Sequence, residues 1–367
     1  MSEVRNREGA GERMLVAMSG GVDSSVAAAC AREAGFEVVG VTMHLSGESS
    51  RCCSLEDVDD ARRVAESLGI RFFVANYGEA FREAVIEPFA EAYLAGRTPI
   101  PCVACNTEFK FDRLLARAEV LGAKRVATGH YARVARDPES GRQRLLRARD
   151  SEKDQSYYLF QLDQAKLERA WFPLGGLTKP EVRERARALG LVTAEKPESF
   201  EICFVPDGDY AKVVEGLRPE ARDRAGDIVD TKGDVLGRHA GIHRFTVGQR
   251  RGLGLSSAES LYVLSLDALR RRVVVGPESA LGSREMRVEG VSWVSGETPS
   301  EPIRAAVKVR ARHEAAVATL EPRAGGEVRV HFDAAVRAIA PGQAAVFYGG
   351  AEGDEVLGGG WIAGAAA

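Results

Sequence analysis

The sequence has no apolar run that approaches the ~20 residues a helix needs to span a bilayer. Residues 1–13, MSEVRNREGAGER, are polar and of mixed charge, which is not the pattern of a secretory signal peptide. These two absences exclude a membrane-spanning helix. We therefore expect a cytoplasmic protein that does not contact a membrane and whose residues 1–13 form a disordered tail.

A strong excess of either charge is also missing. The 50 Lys and Arg residues nearly balance the 53 Asp and Glu residues, and the formal net charge is −3 at pH 7. Such a chain has no global attraction for polyanions, so a nucleic acid would have to be held by a local basic patch. The 367 residues, 45% of them hydrophobic, suggest two or three globular domains.

Cysteine is scarce, with six residues in the whole chain. This number does not suit a disulfide scaffold and leaves burial, metal binding or reactivity as roles. Cys30 lies in an alanine-rich predicted helix, where we expect it to be part of the core. Cys52 and Cys53 are adjacent and have no visible partner pair, so we expect no function from them.

What the first half does have is an alternation of short apolar runs and amphipathic segments. The predicted strands are Met14–Met18, Glu37–His44, Ile70–Asn76 and Arg125–Gly129. The predicted helices are Val22–Ala34, Leu55–Leu68, Glu79–Leu94, Phe109–Leu121, Ala165–Trp171 and Pro180–Leu189, and Ser54 with Asp57 predicts a capping box. Strands separated by such helices predict an α/β fold, a parallel sheet with helices on both faces.

From about residue 205 the pattern changes to short alternating strands separated by Gly and Asp turns. This predicts two small β-rich domains of barrel or sandwich type. The predicted domains are 14–207 for the catalytic α/β domain, 208–285 for a central β domain and 286–364 for a C-terminal β-barrel.

Residues 14–25, MLVAMSGGVDSS, place a glycine turn between the first predicted strand and the first predicted helix. Adjacent glycines let the backbone approach an anion, and the helix adds its positive end. Ser19, Ser24 and Ser25 could donate hydrogen bonds to phosphate, and Asp23 could hold a Mg²⁺ ion that bridges phosphates. No Lys follows the glycines, which excludes the GxxxxGK[ST] loop. The alternative is a plain Gly-Gly turn with serine caps.

Two further segments carry thiols. In TPIPCVACNTEFKFD (98–112) two prolines predict an extended approach to Cys102 and Cys105, which precede the predicted helix. A thiol near a helix N-terminus, with Lys110 close by, should be a nucleophile of lowered pKa. Cys203 lies in ESFEICFVP (198–206). Thiols on two loops suggest sulfur transfer, but three cysteines could also hold an iron–sulfur cluster, and a single CxxC is a moderate zinc signal.

The stretch SGGVDS resembles the pyrophosphate loop of the N-type ATP pyrophosphatases. With both thiol segments, the chain resembles the tRNA-specific 2-thiouridylase family along nearly its whole length. The segments that carry this resemblance are SGGVDSS, CNTEFKFD, ATGHYAR (127–133), DQSYYLFQL (154–162), EICFVP, FTVGQRRGLGL (245–255), PGQAAVFY (341–348) and VLGGGWI (356–362). The resemblance implies a Rossmann-like domain followed by two β domains, and ATP-dependent formation of 2-thiouridine at the tRNA wobble position.

The resemblance also implies site residues. Cys105 corresponds to the nucleophile and Cys203 to the persulfide carrier. ATP contacts are implied at Ala17, Met18, Ser19, Gly20, Gly21, Val22, Asp23, Ser24, Met43 and Gly129. Contacts to tRNA are implied at Ile100, Pro101, Cys102, His130, Lys153, Asp154, Gln155, Arg310, Ala311 and Gln343, with Tyr131 as a further stacking candidate.

The chain departs from the family at three positions. Some members have an acid at Cys102, often an Asn at Ile100, and many a Tyr at Ala311. A lone histidine such as His130 could equally have a structural role, and Met43 is a core residue by type.

Cys102 keeps two mechanisms open. Either Cys203 delivers persulfide sulfur, or Cys102, Cys105 and Cys203 hold a [4Fe–4S] cluster. The implied cofactors are ATP and Mg²⁺. The implied partners are tRNA and a persulfide-donating relay protein or cysteine desulfurase, and we expect a monomer. An amide-forming synthetase and a non-catalytic RNA-binding protein are the alternatives, although no glutaminase-type domain is visible.

Overall fold

The structure is a computed structural model that describes residues 9, 11–45, 54–198, 202–205, 208–350 and 353–365. Cys52 and Cys53 lie outside these ranges. The chain divides into two compact units. The first contains 1–84, 102–208 and 354–356, and the second contains 85–101, 209–353 and 357–367.

The strands in chain order are β1 (Arg13–Ala17), β2 (Glu37–His44), β3 (Arg71–Asn76), β4 (Arg125–Ala127), β5 (Arg133–Arg136), β6 (Gln143–Leu146), β7 (Ala170–Trp171), β8 (Gly226–Val229), β9 (Val235–His239), β10 (Tyr262–Asp267), β11 (Arg272–Gly276), β12 (Gly282–Trp293), β13 (Ile303–Lys308), β14 (Ala316–Arg323), β15 (Glu327–Arg337), β16 (Ala344–Gly349) and β17 (Glu355–Ala365).

The α-helices are α1 (Val22–Glu33), α2 (Leu55–Leu68), α3 (Gly78–Phe81), α4 (Glu87–Leu94), α5 (Pro101–Ala104), α6 (Leu114–Val120), α7 (Gln164–Arg169), α8 (Lys179–Ala188) and α9 (Tyr210–Leu217). Two stretches, Arg82–Ile86 and Cys105–Arg113, are π-helical, and short 3₁₀ turns lie at Ser156–Tyr158, Pro219–Asp223, Ile242–Arg244 and Glu278–Leu281.

The first unit is built on a five-stranded sheet in the order β3-β2-β1-β4-β7, with every neighbouring pair parallel. The predicted α/β class is therefore confirmed. The central strand β1 is apolar because it is covered on both faces, and Met14, Leu15 and Val16 are fully buried. Parallel strands end at one edge of the sheet, so the segments that follow β1, β2 and β4 meet there.

Local sequence signals predicted several elements well. The predicted helix Leu55–Leu68 and strand Glu37–His44 have the predicted bounds. The Ser54 hydroxyl accepts a hydrogen bond from the Asp57 N–H (3.2 Å), and the Asp57 carboxylate accepts one from the Ser54 N–H (3.1 Å). The predicted capping box is therefore confirmed.

The prediction for the first thiol segment was wrong. Helix α5 begins at Pro101, and the helical run continues through Cys105, so both cysteines lie inside a helix rather than before one. Proline lacks an N–H, but the first helical position does not use one, so Pro101 starts the helix instead of preventing it.

Three other predictions need correction. The helix predicted at Glu79–Leu94 is interrupted by a π-helical stretch, and residues 170–171 of the predicted helix Ala165–Trp171 form β7. The expected tail 1–13 is too long, since Arg13 belongs to β1 and the Glu37 N–H donates to the Glu12 carbonyl (2.8 Å). The β5–β6 hairpin and α9 were not predicted.

The second unit contains two β-structures. Strands β10-β11-β8-β9 form a four-stranded sheet around Ile228, Val263 and Val273. Strands β12-β15-β14-β13-β16-β17 form a sheet that the β12–β17 pairing closes into a six-stranded barrel. Two β-rich regions were predicted, but the boundary expected at 285/286 lies inside β12, which begins at Gly282. In the described part of the chain, every helix is too short or too polar to cross a bilayer.

Candidate nucleotide and sulfur-transfer site

The loop after β1 depends on glycine at two close backbone contacts. Gly20 has φ +72°, and a Cβ atom there would lie 2.1 Å from the Asp57 carbonyl oxygen. Gly129, which follows β4, packs so closely that its Cβ would lie 2.8 Å from the Asp23 carbonyl carbon and the Ser24 nitrogen. Gly129 therefore lets the chain after β4 lie directly against the start of α1, and Gly20 lets the loop lie directly against the first turn of α2; a larger residue at either position would push them apart.

The serines of this loop have different roles. Ser19 is exposed, whereas the hydroxyls of Ser24 and Ser25 both donate to the Gly21 carbonyl, at 3.0 and 2.9 Å. Ser25 is fully buried, so the expected phosphate contact of its hydroxyl is wrong. Helix α1 starts at Val22, and no side chain caps it at Gly21. Its first N–H groups thus face the loop in the orientation that suits an anion.

Most of the other implied ATP residues could contact a ligand only through the backbone. The side chains of Met18, Val22 and Met43 are 2%, 4% and 7% exposed. The Thr42 hydroxyl donates to the Met18 carbonyl (2.5 Å), which joins β2 to the start of the loop. Ala17 is the last residue of β1, and Met43 is the next-to-last residue of β2.

Asp23 is already paired in this structure. Both of its carboxylate oxygens lie 2.8 Å from the Lys179 Nζ atom, and the Tyr131 hydroxyl donates to Oδ1 (2.8 Å). Burial, with the Asp23 carboxylate beside it, raises the pKa of Tyr131, so its hydroxyl stays a donor. Tyr131 is 2% exposed, so its expected role as a stacking surface is wrong. The loop lacks a lysine in sequence, but the fold brings one to it.

Lys179 also joins this loop to the segment before Cys203. Its Nζ atom lies 3.1 Å from a carboxylate oxygen of Glu198, and Glu198 accepts a hydrogen bond from Lys153 (2.6 Å). Burial alone would raise the pKa of Glu198, but hydrogen bonds from the two lysines outweigh it and lower that pKa. Glu198 is therefore an ionised carboxylate that lies five positions before Cys203 in the sequence.

The Cys105 helix is joined to the opposite side of the loop through His130. The Thr128 hydroxyl lies 2.6 Å from His130 Nδ1, and Asn106 Oδ1 lies 3.1 Å from Nε2. Asn106 is the neighbour of Cys105, and Lys110 Nζ lies 3.3 Å from the same Nε2. Burial, with the Lys110 ammonium, lowers the pKa of His130 well below its ordinary value. The ring is therefore neutral, and its Nε2 faces both the Asn106 amide oxygen and the Lys110 ammonium.

His130 is 6% exposed, which favours its structural role over a contact with an RNA base. It connects the end of β4, next to Gly129, to the helix that carries Cys105.

The two cysteine segments also share one aromatic contact. The ring of Phe81 packs edge-on against Phe109, one turn after Cys105, with centroids 5.3 Å apart. The same ring packs against Phe204, the neighbour of Cys203, with centroids 6.1 Å apart. Cys105 and Cys203 are half-buried, whereas Cys102 is exposed.

The residues do not fit an iron–sulfur cluster. The structure describes all three candidate cysteines, and within the ranges it describes no three His, Cys, Asp or Glu side chains lie close enough to hold a metal ion. Cys102, Cys105 and Cys203 are therefore not arranged as a ligand set.

The implied tRNA residues fall into two groups. In the first unit, the Asp154 carboxylate accepts hydrogen bonds from Ala148 and Ser156, and Gln155 Oε1 accepts one from the Tyr131 N–H (3.0 Å), so both shape a turn. In the second unit, Arg310 donates to the Val247 and Ala338 carbonyls (2.9 and 3.0 Å), and Gln343 to the Thr98 carbonyl (3.0 Å). Ile100 and Ala311 are half-buried, and Pro101 is buried.

Some residues of this site could not be found from sequence patterns. Lys179 lies one residue before the predicted helix Pro180–Leu189, and Glu198 is the first residue of the segment 198–206. Nothing in their local spacing shows that they meet. Asn106 lies inside CNTEFKFD, but only the structure shows its bond to His130.

Comparison with known families supports the reading of the fold. Residues 12–207 match a family model described as the tRNA methyl transferase HUP domain. Residues 215–277 match the tRNA methyl transferase PRC-barrel domain, and residues 283–362 match the aminomethyltransferase beta-barrel domain. The fold and the loop define a protein with a Rossmann-like HUP domain followed by two β-barrel domains.

Curated relatives identify the family within this class of proteins. The chain is 51% identical over 368 residues to the tRNA-specific 2-thiouridylase MnmA of Solibacter usitatus, covering 95% of this chain and 98% of that protein. It is 53% identical over 365 residues to the protein of the same name from Rhodospirillum rubrum, covering 96% of each. The chain belongs to the tRNA-specific 2-thiouridylase family.

A solved 4-thiouridine synthetase–RNA complex with bound ATP is 18% identical, with a TM-score of 0.36, over 57% of this chain and 51% of that chain. A likeness at this level carries no functional conclusion.

Proposed function

We propose that this chain is a tRNA-uridine 2-sulfurtransferase that uses ATP to replace O2 of the wobble uridine with sulfur. Family membership supports the substrate class, because the relatives are named tRNA-specific 2-thiouridylases. The reaction requires an ATP site and two thiols close together. The contacts between the glycine-serine loop and the thiol-bearing segments support such a site.

One observation carries the proposal. The glycine-serine loop contacts both thiol-bearing segments through short chains of residues. On one side Gly129 abuts Asp23, and the adjacent His130 is hydrogen-bonded to the neighbour of Cys105. On the other side Lys179 bridges Asp23 and Glu198, the first residue of the segment 198–206. The ring of Phe81 contacts both Phe109 and Phe204, which neighbour the two cysteines in the chain. These contacts support the proposal of one shared site.

The first step is activation. The uridine O2 attacks the α-phosphorus of ATP, the bond to the β-phosphate bridging oxygen breaks, and pyrophosphate leaves. The product carries AMP on O2, which is a good leaving group. The N–H groups at the start of α1 stabilise negative charge on the departing pyrophosphate. Asp23 would hold the accompanying Mg²⁺, since a single carboxylate beside phosphates is a common site for this ion.

The second step is sulfur transfer. The terminal sulfur of a Cys203 persulfide attacks C2, and AMP departs. The Cys105 thiolate then attacks the Cys203 sulfur and breaks the sulfur–sulfur bond, leaving 2-thiouridine and a Cys105–Cys203 disulfide. An external thiol reductant supplies two electrons to reset the pair. A variant of this step, in which Cys105 attacks the persulfide first and liberates sulfide, consumes the same electrons.

The donor of the persulfide is, in this proposal, a sulfur-relay protein or cysteine desulfurase, and the chain works as a monomer. The implied tRNA contacts at Ile100–Cys102, Lys153–Gln155, Arg310, Ala311 and Gln343 stay predictions. Arg310 and Gln343 fit an indirect role best, because both hold backbone carbonyls.

The test is an assay of pyrophosphate release and tRNA thiolation with transcribed tRNA, MgATP and a persulfide donor. We expect wild-type protein to release pyrophosphate only when tRNA is present and to form 2-thiouridine. Cys105→Ser and Cys203→Ser should each lose thiolation, while Cys30→Ser, in the buried α1 position, serves as the matched control. Release driven by a small carboxylate without tRNA would support an amide-forming synthetase instead. Persulfide-driven turnover at the wild-type rate in either cysteine variant would refute that cysteine's role.

A further inference from the structure

The segment 235–258 in the second unit is basic. It contains four arginines and no Asp or Glu, in a chain whose formal net charge is −3. Arg238 and Arg244 each lie beside a carboxylate, on β8 and α9 respectively. Arg250 and Arg251 are exposed, and their side chains make no hydrogen bond or ion pair with the residues that the structure describes. The segment therefore presents two unneutralised positive charges at the surface.

These two arginines lie in a turn, Thr246–Gly254, that one side chain closes. Gln249 Oε1 accepts a hydrogen bond from the Thr246 N–H (3.0 Å), and Gln249 Nε2 donates to the Arg251 carbonyl (2.9 Å). The Gln249 carbonyl also accepts a hydrogen bond from the Val263 N–H of β10 (2.9 Å). The turn is therefore ordered by its own contacts, and a ligand that binds there does not have to order it.

Buried apolar side chains fix the chain on both sides of the two arginines. Phe245, Val247 and Leu253 are 5%, 6% and 8% exposed. Phe245 and Leu253 belong to the core of the four-stranded sheet β10-β11-β8-β9. Arg250 and Arg251 thus lie on a short exposed stretch between two points that are held in the core.

Arg310 connects this turn to the barrel. One of its guanidinium nitrogens donates to the Val247 carbonyl (2.9 Å) and to the Ala338 carbonyl (3.0 Å). Ala338 directly follows β15, and a Cβ atom on Gly248 would lie 2.7 Å from the Ala338 Cβ atom. Gly248 also has φ +88°, which favours glycine. The position of the turn therefore depends on Arg310 and on a close contact at Gly248.

The phosphate groups of a nucleic acid fit this surface. A guanidinium group is planar, stays charged at neutral pH and presents several N–H donors that match phosphate oxygens. Contacts to phosphate hold a nucleic acid without reading its base sequence. Because the whole chain is slightly negative, it needs a local basic patch of this kind to hold a polyanion.

We propose that Arg250 and Arg251 of this turn contact the phosphate backbone of tRNA. Arg310 is then a positioning residue, because it acts on tRNA affinity through the turn, whereas the family resemblance implies a direct contact. The proposal rests on the proposed function, since it takes tRNA as the ligand.

The experiment measures the dissociation constant (Kd) of transcribed tRNA for the full-length protein, by filter binding over a series of KCl concentrations. The test variant is the double substitution Arg250→Gln/Arg251→Gln. The matched control is Arg304→Gln/Arg323→Gln, which removes the same charge from two exposed arginines of the barrel that already pair with carboxylates.

We expect Arg250→Gln/Arg251→Gln to bind tRNA about tenfold more weakly than wild type at about 100 mM KCl. The dependence of log Kd on log[KCl] should become shallower by about 1 to 2, because fewer counterions are released from the phosphates. The control variant should keep the wild-type affinity and salt dependence. Both variants should unfold at the wild-type urea midpoint, since all four side chains are at the surface.

A double-mutant cycle tests the role of Arg310. Arg310→Gln should weaken tRNA binding in otherwise wild-type protein and have little further effect in the Arg250→Gln/Arg251→Gln background. Additive losses would show that Arg310 acts independently of the turn and would overturn the positioning role. Gln249→Ala, which removes the side chain that closes the turn and leaves every arginine in place, should give a partial loss even if Arg310→Gln folds poorly.

Wild-type affinity and salt dependence in Arg250→Gln/Arg251→Gln would overturn the phosphate contact. The same result with thiolation lost only when a protein supplies the sulfur would also overturn it, and would assign the turn to an acidic protein surface. Wild-type protein that binds no tRNA refutes the proposed function together with this contact. Wild-type protein that binds and thiolates tRNA, with an equal affinity in the double variant, refutes the contact alone.

Discussion

The nucleotide loop and the cluster of charges around Glu198 are held in different ways, although Lys179 contacts both. The loop is shaped by backbone atoms in contact, at Gly20 against Asp57 and at Gly129 against Asp23. The Glu198 cluster is made of charged side chains, with Lys179 and Lys153 on Glu198. Close backbone contacts tolerate almost no change, whereas ion pairs can exchange partners. The loop is therefore a fixed frame, and the Glu198 cluster is the part that side-chain substitutions can rearrange.

The largest expected effect comes from the fixed frame. Gly20→Ala places a Cβ atom 2.1 Å from the Asp57 carbonyl oxygen on a backbone with φ +72°. We expect a loss of about 2–4 kcal/mol in the free energy of unfolding, from steric overlap together with left-handed backbone strain. Urea denaturation of the full-length chain measures it.

Gly21→Ala is the matched control for this prediction. A Cβ atom there would meet only the Ser19 hydroxyl, at 3.8 Å, and φ is −97°. We expect a change below about 1 kcal/mol. Equal losses in the two variants would contradict the view that the close backbone contact and the left-handed backbone together require glycine at position 20.

A smaller effect is expected where the two regions meet. Lys179→Met leaves Asp23 without its ion-pair partner, and Asp23 is about one-third exposed. We expect a loss of about 1–3 kcal/mol in the free energy of unfolding, less than for a fully buried pair because water screens Asp23. The double variant Asp23→Asn/Lys179→Met should recover part of this loss, which a double-mutant cycle measures.

Lys212→Met serves as the control for that cycle, because Lys212 is 73% exposed and pairs with Asp209 only at 3.4 Å. Its expected change is below about 0.5 kcal/mol. If Lys179→Met lowered the free energy of unfolding by no more than Lys212→Met, the Lys179–Asp23 pair would contribute no more than an exposed surface ion pair.

The smallest expected effect concerns pH and the His130 connection. The pKa of His130 is lowered in the folded state, so the unfolded chain binds an extra proton below its ordinary pKa of about 6.5. The neutral, buried His130 ring therefore contributes to the free energy of unfolding, and this contribution is complete above about pH 6.5. It is lost as the pH falls from there toward the lowered pKa, by up to about 1.4 kcal/mol per pH unit.

An NMR titration of the His130 ring checks this prediction directly. The ring signals should stay at their neutral positions from pH 8 down to at least pH 6. The same titration of the urea-unfolded chain is the control, because the ring is solvated there and should titrate near the ordinary pKa of about 6.5. A midpoint near 6.5 for His130 would show that its ring is solvated and that it does not link the loop to the Cys105 helix as described.

The loop and several other elements could be predicted from sequence because their signals are local. The strand–glycine–helix order of residues 14–25, the capping box at Ser54 and the alternating strands near Arg304 and Glu327 each depend on neighbours in the chain. The Glu198 cluster and its link to Asp23 could not be predicted, because Asp23 and Lys179 are far apart in sequence and no sequence pattern shows which charges meet.

The CxxC segment shows a different limit. Pro99 and Pro101 predict an extended chain, but proline at the first position of a helix is equally consistent with sequence rules. Whether Pro101 precedes or begins a helix depends on the packing of the residues after it. Phe109 and Phe111, which follow Cys105, are fully buried and hold the helical run in place. That burial depends on contacts with residues distant in the sequence, so the local pattern does not predict it.

The most direct test of the account follows one sulfur atom. Protein carrying a ³⁵S-labelled persulfide on Cys203 is mixed with tRNA and MgATP in a single turnover, and both pyrophosphate and tRNA-bound ³⁵S are measured. The account predicts that label moves to the wobble uridine in equal amount to pyrophosphate, and that neither product forms without MgATP. Pyrophosphate release with the label retained on the protein, or label transfer without ATP, would contradict the claim that one site activates the oxygen and delivers the sulfur.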